Sequence, residues 1–301
     1  MLDFTLDTYR ALLEAFLQAG YRVLTYEQYC DMRACPGAQA NSPAPLAGRG
    51  SGGGACPGTQ ASTPAKKEFP FKGDLEGPYL ILRHDVDRLP QNSLRTAEIE
   101  HALGIRATYY FRVYPKQADE QQYIRRIAAL GHEVGYHYED MSISQGDTTA
   151  AFAHFVSALG YLRRFYPVRT ICMHGAPTSQ WDGKDLWKHY DYHAEGIIGE
   201  PYFDTPFGEV FYLTDTGRCW DGYRFSVRDK IPVYQDRWVA KGLVYHRSAD
   251  IIRALQEGRF PTRLMMTTHP QRWTNSKTAW AKEWVLQNLK NQIKQILISA
   301  K

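Results

Sequence analysis

Apolar positions along the chain switch repeatedly between two periods. Leu6, Tyr9, Leu13 and Phe16 recur at helical spacing, and Gly20 follows as a residue that can close the helix. Tyr21 to Leu24 then reads as a short strand. Thr25-x-x-Gln28 has the form of a capping box opening a second helix through about Met32. From Pro78 the alternation becomes regular. Leu80 to His84 reads as a strand buried on both faces, Asn92 to Leu103 as a helix closed by Gly104, and Ile105 to Val113 as a strand rich in β-branched and aromatic residues. A helix over about 119–130 ends at Gly131. Strands follow at Glu133–Tyr136, Val168–Met173, Gly196–Ile198, Val210–Thr214 and Arg263–Thr268. Phe152, Phe155, Val156, Leu159 and Leu162 mark one helix face, while Trp280, Trp284, Leu289, Ile293 and Ile296 mark an amphipathic C-terminal helix. Repeated β–α units predict a mostly parallel sheet, either a barrel or distorted barrel or, as runner-up, a doubly wound open sheet. No Gly-x-Gly-x-x-Gly follows the first strand of the repeat, which disfavours the second.

Residues 33–67 break the pattern. They are rich in Gly, Ala, Pro and Ser and carry an internal repeat, Ala34-Cys-Pro-Gly-Ala-Gln-Ala40 against Ala55-Cys-Pro-Gly-Thr-Gln-Ala61. Two copies without large apolar residues cannot bury a face, so the stretch reads as a disordered insertion in a surface loop. The domain reading is therefore residues 1–32 as N-terminal helices and a strand packed on the barrel, 33–67 as the insertion, and 68–301 as the barrel with its C-terminal helix.

Composition narrows the function classes. With 36 basic and 32 acidic residues in 301, the charge is too balanced to suggest nucleic-acid binding. No apolar run approaches membrane-spanning length, and the N-terminus lacks a basic-then-apolar leader pattern, so a cytoplasmic location is expected. The five cysteines are scattered with no Cys-x-x-Cys, which indicates neither a zinc knuckle nor a disulfide framework.

Chemistry gathers where strands end. Leu80-Ile-Leu-Arg83-His-Asp85-Val-Asp87 finishes in two carboxylates that share a face if the strand stays extended. Such a pair is costly unless a cation or proton lies between its members, the competing role being an N-cap of the next helix. Further strand ends carry Gly131-His-Glu-Val-Gly-Tyr-His137-Tyr-Glu139-Asp140, Met173-His174-Gly175, Thr214-Asp215 through Trp220, and Thr268-His269-Pro-Gln-Arg-Trp273. In a (β/α) barrel these ends meet on one face.

Over roughly residues 78–273 these motifs resemble the polysaccharide deacetylases, family four of the carbohydrate esterases. The resemblance implies a distorted (β/α) barrel that removes acetyl groups from sugars with a divalent metal, zinc being the expected ion. It implies Asp85 as base, with Arg83 on the same strand face as a candidate to hold it, Asp87 and His137 as metal ligands, His269 as general acid and Asp215 as the group orienting that acid. The family's second histidine ligand falls at Met141, a poor ligand for such a metal. Glu139 and His174, with Asp140 behind them, are the candidates to replace it. Trp181, Trp220 and Trp273 follow the motifs closely and could form a sugar-stacking rim. The resemblance thus implies a hydrolase acting on an N-acylated sugar or related small amide. Met141 motivates the alternative of a degenerate member that binds carbohydrate without hydrolysis. A metal-free hydrolase using Asp85, His174 and His269 is the third reading.

Overall fold

The computed structural model describes residues 2–34, 75–113, 120–176, 179–224, 226 and 229–299. Seven parallel strands form one curled sheet: β1 (Arg22–Leu24), β2 (Tyr79–Val86), β3 (Thr108–Phe111), β4 (Glu133–Tyr138), β5 (Ile171–Met173), β6 (Phe211–Thr214) and β7 (Arg263–Thr268). The spatial order is β5-β4-β3-β2-β7-β6. Read as a ring, the order from β2 to β7 is the chain order, with β7 returning to pair with β2. That return is the closure of a barrel and is foreign to a doubly wound sheet, whose winding reverses at a switch point. Among the described residues β5 and β6 do not pair, so the ring is open there. The fold is a distorted (β/α) barrel.

β2 is the central strand because its eight residues are all buried, with β7 along one side. Its other side is shared, β1 pairing with Tyr79–Ile81 and β3 with Arg83–Val86. The N-terminal strand is therefore part of the sheet as well as packed on it. The capping box forms as its sequence predicts, Thr25 N donating to Gln28 Oε1 at 2.9 Å and Gln28 N to Thr25 Oγ1 at 3.1 Å, and its helix runs Tyr26–Ala34. The helix thus takes in the first two residues assigned to the insertion. The rest of that segment lies outside the described residues. Gly196–Ile198 forms no strand. The backbone there makes a turn, with only an isolated bridge from Gly199 to Thr170.

Strand parity sorts the polar residues into two populations. Ile81, Arg83 and Asp85 of β2 face into the barrel with Thr108 and Tyr110 of β3, Glu133, Gly135 and His137 of β4, and Cys172 of β5, as the register of neighbouring strands requires. Gly135 is small of necessity, because a Cβ there would collide with the Tyr110 ring. The outward set is also polar, which the motif reading did not foresee. His84 Nε2 meets Glu100 Oε1 at 2.7 Å, Tyr109 donates to Glu100 Oε2 at 2.8 Å, His132 Nδ1 lies 3.4 Å from the same oxygen, and Tyr9 also donates to this carboxylate. All these side chains are fully buried between the sheet and the helices Leu6–Gln18 and Pro90–Ala102. Burial pushes the Glu100 carboxyl up, but the His84 and His132 imidazoles outweigh it and hold it below its ordinary value.

Candidate metal centre and hydrolytic pocket

The pocket lies at the carboxyl ends of the strands and encloses about 140 Å³. Asp85, Asp87, His137, His174, Asp229 and His269 are among its walls.

Asp87 does not cap the following helix. That helix begins at Pro90 with Leu89 as its cap residue, at φ +54° and without a side-chain cap bond. Asp87 instead continues the inward parity of Arg83 and Asp85. Its Oδ1 lies 3.5 Å from His137 Nε2 and 3.4 Å from His174 Nε2, and the three donor atoms are all within 4.8 Å of one another. Among the described residues this Oδ1 is buried without a hydrogen-bond partner. Burial pushes the Asp87 carboxyl up, yet the facing imidazoles of His137, His269 and His174 hold it well below the carboxylate range. One carboxylate oxygen and two imidazole nitrogens with an open side towards the pocket suit a zinc-like divalent ion.

Each imidazole is held from behind. His137 Nδ1 faces the Cys172 carbonyl at 2.9 Å, which makes it the donor and leaves Nε2 as the free lone pair. His174 Nδ1 lies 3.0 Å from Glu139 Oε2, which leaves its Nε2 towards Asp87 in the same way. Glu139 in turn accepts two hydrogen bonds from Arg112, at 2.7 and 2.6 Å. Of the two leading candidates for the third ligand, His174 is the one whose ring nitrogen approaches Asp87 and His137, and Glu139 stands behind it against Nδ1. Asp140 opens the short helix after β4 and turns away from the cluster, accepting from Tyr136 at 2.9 Å and meeting His154 Nδ1 at 2.5 Å. Met141 is buried in the short helix Asp140–Ile143.

Asp85 sits beside this cluster, its Oδ2 3.9 Å from His137 Nε2 and its Oδ1 3.5 Å from Arg83 Nη1. Arg83 is fully buried, its Nη2 donating to the Tyr202 and Tyr212 hydroxyls at 3.2 Å each and its Nη1 lying against Cys172 Sγ. The guanidinium is anchored on several sides and pairs with Asp85 by charge alone, because Asp85 Oδ1 is buried without a hydrogen-bond partner among the described residues. A second donor cluster, Asp85, His137 and Cys172, lies deeper in the barrel.

His269 faces Asp87 from the other wall, with Nε2 3.9 Å from Asp87 Oδ2. Its Nδ1 lies 2.6 Å from Asp215 Oδ1, and its backbone N–H donates to Asp215 Oδ2 at 3.0 Å. Asp215 also accepts from Arg272 at 2.7 Å and from Trp273 Nε1 at 2.8 Å. Burial and Arg272 both push the His269 pKa down, but Asp215 and Asp87 more than restore it, so it lies above the ordinary histidine value.

The tryptophan rim is not formed. Trp273 is 0% and Trp220 3% exposed, and both pack on Phe4 in the core. Large aromatic surface near a polar strand end is buried here under the N-terminal segment, so neither ring can meet a ligand. Trp181 rests against Gly146 and does not line the pocket. Three polar participants went unassigned in the sequence. Arg112 continues the inward parity of Thr108 and Tyr110, a signal that was present. Arg272 lies within the last motif, three residues after His269. Asp229 carries no local signal, and its carboxylate accepts from Tyr202 at 3.3 Å, Thr214 at 2.8 Å, Tyr212 and Thr216.

No protein-family model matches the chain, and no curated protein matches it. Among solved structures it is similar to a wild-type pseudoenzyme of carbohydrate esterase family 4 from Bacillus anthracis, at 13% identity and a TM-score of 0.40 over 72% of this chain. It is also similar to PdaA, a family 4 carbohydrate esterase of Bacillus subtilis, at 11% identity and a TM-score of 0.34, with 74% of this chain and 81% of that one aligned. The chain spans 62% of the pseudoenzyme's length. The recorded structural similarity is thus to family 4 carbohydrate esterases and to a pseudoenzyme among them.

Proposed function

We propose that the protein is a metal-dependent hydrolase that removes an acyl group, acetyl in the simplest case, from an N-acylated sugar or related small amide. The observation that carries this reading is the convergence of Asp87 Oδ1, His137 Nε2 and His174 Nε2 between Asp85 on one side and His269 on the other. Asp87, His137 and His174 would hold the ion. When bound, a divalent ion of this kind lowers the pKa of water from about 15.7 towards 7 and polarises a carbonyl oxygen.

The remaining chemistry belongs to the chain. Asp85 is the base that takes a proton from the attacking water, its carboxylate steadied by the Arg83 guanidinium. His269 presents Nε2 to the pocket while Nδ1 is tied to Asp215, so a proton on Nε2 is available to the departing nitrogen. The raised pKa of His269 suits a group that must enter the cycle protonated.

The non-hydrolytic alternative rested on the absence of a third ligand where the family's second histidine falls at Met141. The approach of His174 Nε2 to within 3.4 Å of Asp87 Oδ1 supports the hydrolytic reading over this alternative. Turnover by the purified protein on a panel of N-acetylated sugars, with and without a chelator, tests the proposal. Chelator-sensitive release of acetate supports it. Release unaffected by metal removal would transfer the reaction to Asp85, His174 and His269 alone.

A further inference from the structure

The C-terminal helix Lys277–Ser299 is seated the wrong way round for a surface helix. Its body-facing side is Trp280, Gln287 and Asn291. Gln287 is buried, Asn291 Nδ2 donates to the Gly217 carbonyl at 2.9 Å, and Arg218 both donates to the Trp280 carbonyl at 2.7 Å and stacks on its ring. Diametrically opposite, Val285, Leu286, Leu289 and Ile293 fall within an arc of roughly 100° at helical spacing. They are 57%, 41%, 55% and 49% exposed. Exposed apolar residues are ordinary when scattered, but a contiguous stripe along one helix marks an interaction surface.

Charge selects the occupant. Exposed Lys282 sits in line with the stripe one turn before it, and exposed Lys290 lies on one margin, where their stems can cover apolar surface while the ammonium groups reach outwards. The one acidic residue of the segment, Glu283, is half-buried and acts on Arg218. A second copy docking through a coiled coil is a poorer fit. Among the described side chains Leu286, Leu289 and Ile293 span about one heptad where three or four are needed, and Lys282 occupies the preceding core position. An apolar stripe with flanking lysines is the form of a helix lying in an anionic lipid interface. The helix rests on the turn at Gly217 and Arg218, which follows Asp215 at the pocket end of the barrel.

We propose that this face docks the protein peripherally on an anionic lipid surface, holding the pocket end of the barrel beside it. The proposal stands independently of the hydrolytic reading. The test is flotation of the full chain with vesicles of phosphatidylcholine containing phosphatidylglycerol and with vesicles of phosphatidylcholine alone. The expected result is flotation with the first and not the second, weakened by salt. Leu289→Glu with Ile293→Glu should reduce the binding constant at least about tenfold, and Lys282→Gln with Lys290→Gln about 30-fold with anionic vesicles. Thermal unfolding midpoints should stay unchanged in both. Absence of flotation with anionic vesicles, or equal flotation of the Leu289→Glu, Ile293→Glu variant, overturns the proposal. Light scattering that gives a dimer for the wild type and a monomer for that variant assigns the face to a second copy instead.

Discussion

Replacing Glu139 by Gln separates a metal ligand from the group that aims one. Glu139 bonds Arg112 twice and meets His174 Nδ1 at 3.0 Å, while His174 Nε2 points at Asp87. The substitution keeps shape but removes the charge. The amide has one acceptor oxygen: if it serves His174, the amide NH2 confronts Arg112, and if it serves Arg112, the NH2 confronts the Nδ1–H of His174. Either arrangement loosens the imidazole or favours its other tautomer. Loss of such an orienting carboxylate costs about 10- to 100-fold in metal affinity, or about 1.4–2.7 kcal/mol. Competition between the protein and a chromophoric zinc chelator reads this directly. The expected pattern is a weakened zinc affinity of that size with turnover largely recovered at saturating zinc. An unchanged affinity would refute the orienting role. A loss as complete as that of His174→Ala would show that Glu139 itself binds the ion.

Other perturbations reach different parts of the account. Asp215→Asn removes the main charge that raises His269 above its ordinary value, so kcat should fall about 10²- to 10⁴-fold. A general acid works while protonated, and its activity disappears as pH rises through its pKa. The basic limb of the pH–rate profile should therefore move to lower pH in the variant, and an unmoved limb would argue against His269 as the acid. Glu100→Ala leaves His84, His132, Tyr9 and Tyr109 in the core without their shared acceptor, and urea unfolding should register a loss of about 3–5 kcal/mol. A loss below about 1 kcal/mol would mean that this network does not bind the N-terminal helix to the sheet.

Much of the fold was legible in the chain because buried parallel strands leave strong marks. The run Leu80–Leu82, the β-branched and aromatic segment around Thr108–Phe111 and the span Arg263–Thr268 all became strands. Gly196–Ile198 misled because two isoleucines beside a turn mimic the start of a strand, whereas the backbone pairs there only briefly, Ile198 N donating to the Arg169 carbonyl at 2.8 Å beside the single bridge at Gly199. In the candidate site, parity carried Arg83, Asp85 and Asp87 to one face, and strand-end position carried His137, His174 and His269 to one pocket, with Asp215 behind His269. What linear sequence could not reveal was depth. Glu139 and His174 looked equivalent as replacements at the Met141 position, and only the approach of β5 decides which reaches Asp87. Trp220 and Trp273 looked like a rim because proximity to a motif says nothing of whether the N-terminal segment, through Phe4, covers it.

The proposed hydrolysis depends on Asp87, His137 and His174 together holding a divalent ion. Elemental analysis of the purified protein after zinc loading and removal of free metal, set beside His174→Ala, tests it most directly. The expected result is about one ion per wild-type chain, as three ligands at one open site require, and its loss in the variant. Equal metal content in the two proteins, or none in the wild type, would contradict it.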